Sequence, residues 1–325
     1  MDTILAFFRL IRVPNLLIIF LTQHLLRYCL LQPILSNGFV AVDFSLTHLQ
    51  FFYLSLSTVL IAAAGYIIND YFDVKADEVN RPNRIVIDRF IGRRQAIILH
   101  FVLNAIGIAI GFWLAVEVGN WLLGFIHIGT MAMLWFYSTW FKRTFLFGNL
   151  VIGGLTALVV LIVLFYETSL ESLNGRISEL YHYLHFFFWG YAGFAFLVTL
   201  LRELVKDMED IKGDRLLNCR TIPIVLGIKR SKNIAIFLAL LVIGFLAWYQ
   251  VLQAMDFQEK DGSPFYKVRS IRLIFAFLQI PLFYIIILLM EADKSVDFKK
   301  VSNMVKFVMV AGVLFLTYYL GTVGV

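Results

Sequence analysis

Apolar residues run along this chain in blocks of about twenty, and the polar positions collect between them. Nine such blocks, near 13–33, 50–68, 95–116, 120–140, 146–166, 184–205, 233–253, 270–290 and 304–322, approach the roughly 20 residues with which a helix crosses a bilayer. The pattern predicts an all-α, polytopic membrane protein, a bundle of about nine transmembrane helices in a single domain over residues 1–325. Its two halves, about 1–140 and 141–325, each carry one acidic segment at the end of a block, "NDYFDVKAD" and "KDMEDIKGD".

Composition agrees with this reading and excludes its main rival. A chain with 60% hydrophobic and 15% charged residues and a mean hydropathy of +0.82 lies far outside the soluble globular range. Thirty-two phenylalanines over 325 residues suit a bundle along most of the length rather than a single anchor. Arg9 and Arg12 precede the first block as they would in a secretory signal. However, no small-residue cleavage site follows, and Gln23, His24 and Arg27 interrupt the run, so a retained first helix is expected. Cys29 and Cys219 have neither zinc nor redox spacing.

Charge then orients the bundle. The loops after the second, fourth, sixth and eighth blocks hold most of the Lys and Arg, among them Arg81, Arg84, Lys142, Lys206 and Lys294. The first and third loops have none, the fifth has only Arg176, and the seventh, with Lys260 and Lys267, weakens the alternation. The positive-inside rule puts the N-terminus and both acidic segments on the cytoplasmic side and the C-terminus outside. The net charge of +6 is thereby topological, and no nucleic-acid partner is expected.

The acidic segments share one spacing. Asp70, Asp73 and Asp77 stand at i, i+3 and i+7, and so do Asp207, Asp210 and Asp214. On a helix these positions turn by about 300° and about 700°, so each trio shares an arc of roughly 60°. One such stripe reads equally well as the solvated end of a helix. Two with identical spacing on one side of the membrane read as a duplicated site. Six converging carboxylates repel one another and call for cations between them. Hard oxygen donors without a His or Cys cluster favour magnesium or calcium, and magnesium commonly combines one or two carboxylates with substrate phosphates. Each stripe suits one metal ion, with a shared diphosphate completing the coordination.

Asn69 and Lys206 precede the first Asp of each stripe. Arg81, Arg84, Lys142, Arg202 and Lys206 suit phosphate oxygens, although for each of them the positive-inside rule is an equally simple explanation. Arg27, inside the first block, reads either as functional or as snorkelling to the interface. Metal–diphosphate ligands on a lipid-embedded, Phe-rich bundle fit prenyl diphosphates, whose tails an apolar bundle can bury. A cation transporter is the distant alternative, but its charges would more often lie near the membrane midplane.

The paired aspartate segments, with "YSTWFKRTFLFGN" (Tyr137–Asn149) between them and "RVPNLL" near the N-terminus, resemble the UbiA superfamily of intramembrane prenyltransferases across essentially the whole chain. The resemblance implies a central cavity, magnesium dependence and metal–diphosphate binding by Asn69, Asp70, Asp73 and Asp77 with Asp207, Asp210 and Asp214, and a diphosphate contact at Lys142. Within the family, "NDYFDVKADEVNRPNR" and "LRELVKDMEDIKGDRLLNCRTIPIVLG" look most like the branch that transfers a geranylgeranyl group to a glycerol-phosphate lipid. The segment "IVIDRFIGRR" after Arg84 departs from that branch, where a Pro-rich, Ser-Gly-containing turn is expected. An aromatic acceptor on a quinone pathway is the alternative.

Overall fold

The computed structural model describes residues 3–36, 43–174, 177–255 and 265–321; the side chains of Thr3, Ser36 and Arg84 and of residues 253–255, 265–269 and 319–321 lie outside that description. Arg176 and Lys260 likewise fall outside the described residues. Among those described there are helices and turns but no strands, and nine helices are long and apolar enough to cross a membrane. These spans are Val13–Leu35, His48–Asn80, Arg93–Glu117, Trp121–Thr139, Phe147–Tyr166, Ser178–Leu216, Ile228–Leu252, Ser270–Glu291 and Ser295–Tyr318.

The boundaries follow the apolar blocks except that the ninth span starts at Ser295, ahead of the expected 304, and the second and sixth run past the expected 68 and 205 to Asn80 and Leu216. At 33 and 39 residues the second and sixth helices measure about 50 and about 58 Å, against a hydrocarbon core of about 30 Å. Both acidic segments are therefore helix interior rather than loop. Nothing within the first segment breaks a helix before Pro82, which forces Arg81 out of the helical region (φ −149°). The sixth span ends where Asn218 turns left-handed (φ 54°).

Two apolar cores divide the bundle. One gathers the first, second, third, fifth and sixth spans around Leu30, Phe51, Leu114, Tyr166 and Phe188. The other gathers the sixth to ninth spans around Val198, Ala239, Leu282 and Val305. A third, smaller core seats the N-terminal helix Thr3–Leu10 and the loop 85–91 on the second span, through Ala6, Leu10, Ile67, Val74, Val86 and Ile87. The divergent segment "IVIDRFI" thus buries Ile85, Val86, Ile87 and Ile91 against the second span and leaves Asp88, Arg89 and Phe90 exposed. It closes on itself through the Asp88 N–H donating to the Ile91 carbonyl at 3.0 Å, with Asp88 left-handed (φ 69°).

Arg27 is neither at an interface nor near the acidic stripes. It lies 2% exposed in a widened turn of the first span, Leu26–Leu31. It donates to Glu167 at 3.3 Å and to the Leu46 carbonyl, and its guanidinium stands 4.4 Å from the Phe44 ring centroid and 4.6 Å from that of Phe51. A buried ion pair whose members hold fixed partners is a staple between elements.

Candidate active site

The second and sixth spans meet where their acidic segments run. A Cβ on Gly213 would stand 2.3 Å from the Asn80 amide nitrogen and 2.8 Å from the Ala76 carbonyl, so only glycine allows this approach. Asn80 fills the resulting contact by donating to the Asp210 carbonyl and accepting from the Gly213 N–H, both at 3.0 Å. Ala76 and Gly213 hold equivalent places, each just before the third aspartate of its stripe. Small residues at that place let two helices with a large like charge pack backbone to backbone.

Around this crossing four of the six aspartates are engaged. Asp70 accepts from Arg12 at 2.6 Å. Asp73, buried, accepts from Asn69 at 2.8 Å and from the Lys142 ammonium. Asp207 accepts from Asn149 at 3.0 Å. Asp210 accepts from Arg81 through both oxygens, at 2.9 and 3.0 Å, and the same guanidinium reaches Glu209 at 3.2 Å. Arg81 leaves the end of the first motif helix and clamps the second, so it ties one stripe to the other. The carboxylates of Asp77 and the buried Asp214 have no hydrogen bond or ion pair among the described residues, and neither has the Lys206 ammonium.

Lys142 arrives on the turn Phe141–Arg143 between the fourth and fifth spans. That turn folds tightly over Gly148, where a Cβ would meet the Phe141 carbonyl at 3.0 Å and the Lys142 Cα at 3.1 Å. The Arg220 N–H donates to the Arg143 carbonyl at 2.8 Å and fastens the turn to the segment after the sixth span. Burial alone would lower the pKa of the Lys142 ammonium, but the Asp73 carboxylate outweighs it and holds Lys142 well above its ordinary value. Arg12, also desolvated, is kept charged by Asp70 in the same way.

Under the stripes lies a cavity of about 260 Å³. Arg12, Tyr66, Asn69, Arg202, Glu203 and Lys206 line its mouth, and Ile152, Leu155, Val159 and Ile162 line its depth. Arg202 donates to Glu203 at 2.7 Å and faces this cavity rather than the stripes. Arg84 follows Pro82 in the turn after the first motif helix, and its side chain lies outside the described residues. The other residues proposed from the sequence are brought together at one end of the bundle.

Three residues that spacing did not single out belong to the same end: Arg12, Asn149 and Glu203. Arg12 and Asn149 lie within "RVPNLL" and "FLFGN" or beside them. Arg12 carries a further mark, a left-handed backbone (φ 54°) ahead of Pro14. Among the described residues no three His, Cys, Asp or Glu converge on a protein-only metal site. The donors on offer are carboxylate oxygens, two of them uncommitted and the rest held by cations and amides that match phosphate oxygens equally well. That set fits magnesium bound partly through phosphate.

A nine-span helical bundle with two matched acidic helices over an apolar cavity defines a class of intramembrane transferase, and the chain belongs to the UbiA prenyltransferase family, whose profile matches residues 30–257. Among its relatives is the digeranylgeranylglyceryl phosphate synthase of Methanosarcina mazei. It is 32% identical over 213 residues, a region that covers 65% of this chain and 64% of the relative. The matched region therefore spans a little under two thirds of that relative's length. A solved structure concerned with digeranylgeranylglyceryl phosphate synthase in membranes superposes with a TM-score of 0.59 at 22% identity, covering 98% of this chain and 99% of that one. A UbiA homologue from Archaeoglobus fulgidus bound to GPP and Mg2+ superposes with a TM-score of 0.56 at 13% identity, covering 96% and 99%. These two likenesses establish the fold.

Proposed function

We propose that this protein transfers a prenyl group, geranylgeranyl by the branch it resembles, from a prenyl diphosphate to the free hydroxyl of geranylgeranylglyceryl phosphate, with magnesium as the metal. The observation that carries this is the locked crossing of two helices with identically spaced aspartates above an apolar cavity. That arrangement supports a metal–diphosphate held over a hydrocarbon tail in the cavity. The M. mazei relative's name and the ligands of the A. fulgidus homologue point the same way.

In this reading Asp70, Asp73 and Asp77 with Asp207, Asp210 and Asp214 would hold magnesium, which would neutralise charge on the leaving diphosphate. Lys142 and Arg81, which now hold Asp73 and Asp210, would be the donors to phosphate oxygens with metal on the carboxylates. The donor C1–O bond breaks with its electron pair going to diphosphate. The acceptor hydroxyl then forms the new C1–O bond and gives up its proton to the departing diphosphate. The apolar cavity keeps water from the allylic cation. Both acidic helix ends and the N-terminus face the cytoplasm, and the C-terminus lies outside, as the loop charges favour.

The test offers purified protein a panel of prenyl diphosphates with glyceryl phosphate lipid, dihydroxynaphthoate and 4-hydroxybenzoate as acceptors, with products identified by mass. Prenylated glyceryl phosphate is the expected product. Transfer only to an aromatic ring would overturn the acceptor assignment, and absence of any prenyl transfer would overturn the class.

A further inference from the structure

The ninth apolar block contains one charged residue, Lys306, and it lies well inside the span Ser295–Tyr318. A lysine at that depth is costly unless it faces protein or a polar cavity, and it marks a functional position by default. Lys306 does face the cavity, in company with Arg202, Glu203 and Lys206. Its ammonium donates to the Asn15 side-chain oxygen at 3.0 Å, so the last span is joined to the first across the mouth. Among the described residues Lys306 has no carboxylate partner.

These groups form a level of their own. The cations of the acidic level are already matched: Arg12 with Asp70, Lys142 with Asp73 and Arg81 with Asp210. Arg202 stands five residues before Asp207 on the same helix, about 7 Å deeper. At that level Arg202 and Lys306 face one carboxylate, Glu203, which Arg202 already holds, while Lys206, one residue before Asp207, stands between this level and the stripes. Lys306 is left with a neutral amide, a poor counterpart for its charge, and Lys206 beside it has no ion pair among the described residues. A phosphate monoester, with a charge of about −1.5 to −2 near neutral pH, matches that excess in sign and size.

We propose that Lys306, with Arg202 and Lys206, forms a second anion site that seats the phosphate monoester of the acceptor lipid, apart from the aspartates that hold the donor diphosphate. This inference rests on the glycerol-phosphate reading above. It moves Arg202 and Lys206 from the donor to the acceptor and makes Lys306 the residue that selects a phosphorylated lipid over an unphosphorylated one. Asn15 holds the ammonium at the mouth until the phosphate replaces it.

The experiment uses the full-length protein in detergent free of phospholipid, with geranylgeranyl diphosphate and magnesium. Rates are compared for geranylgeranylglyceryl phosphate and its dephosphorylated alcohol, in wild type, Lys306→Met and Lys306→Arg. The expected result for Lys306→Met is an acceptor KM at least tenfold higher, with donor KM and kcat at saturating acceptor within about threefold of wild type. Preference for the phosphorylated acceptor should collapse by a similar factor. Lys306→Arg keeps both the KM and the preference, which separates the charge from a packing role. An unchanged acceptor KM in a folded Lys306→Met protein overturns the inference while leaving the parent reading intact, and a rise in donor KM alone reassigns Lys306 to the diphosphate. A wild type that ignores the phosphorylated lipid overturns both.

Discussion

At one end of the bundle Arg27 is closed in: carboxylate, carbonyl and two aromatic faces surround its guanidinium, whose Nε alone has no hydrogen-bond partner, and the Arg27 and Glu167 side chains are both 2% exposed. At the other end the charges are plentiful and loosely matched. Asp77, Asp214 and Lys206 have no partner among the described residues, and Arg81 is shared between Glu209 and Asp210. Both arrangements put charge where lipid would forbid it, but only the first matches charge for charge. A matched pair holds the fold. An unmatched set leaves charge over for a ligand, and under the proposed function the cost of holding like charges together would be offset by metal and phosphate.

The comparison breaks most sharply at the aspartates. Asp73→Asn or Asp210→Asn is expected to cut prenyl transfer roughly a thousandfold, since a metal's charge stabilisation amounts to several kcal/mol. The thermal midpoint in detergent should move little, because each change removes repulsion as well as attraction. Activity within tenfold of wild type would show that the stripe is ordinary surface. Arg27→Met should do the reverse. Leaving Glu167 buried and unpaired costs about 3–5 kcal/mol of stability, read as a lowered unfolding midpoint, while turnover per folded molecule stays near wild type. Replacing both members by apolar residues should recover most of that loss.

Smaller effects sharpen the same contrast. Gly213→Val pushes Asn80 and the Ala76 carbonyl away and so separates the stripes without touching a carboxylate. A loss of roughly a hundredfold in kcat is expected, in line with an ångström-scale misplacement. Arg12→Gln removes the partner of Asp70, the first aspartate of the first stripe. A loss of about tenfold is expected, because the phosphate has one charged donor fewer at the cavity mouth. Equal losses from Arg12→Gln and Asp73→Asn would mean that the site does not separate metal ligands from their supporting cations.

Much of this was legible in the chain. Long apolar blocks announce spans whatever surrounds them, and a repeated i, i+3, i+7 spacing needs no coordinates to be recognised as one face of a helix. The continuation of the second and sixth helices through the acidic segments was harder to read, because charge at a block's end resembles a loop; the absence of a breaker before Pro82 was the readable sign. Lys306 was also readable, as a lone cation inside an apolar block. Arg12 with Asp70, Asn149 with Asp207, and Asn80 with Gly213 were not. Their partners lie 58 to 133 residues away, and only the packing of whole helices decides who meets whom.

The central claim is that the two stripes act jointly as one metal–diphosphate clamp. Calorimetric titration of the full-length protein with an unreactive geranylgeranyl thiolodiphosphate, with and without magnesium, tests it without depending on any acceptor. Binding should require magnesium in wild type and should be lost in both Asp73→Asn and Asp210→Asn. Binding that persists without magnesium, or that survives loss of either stripe, would contradict the account.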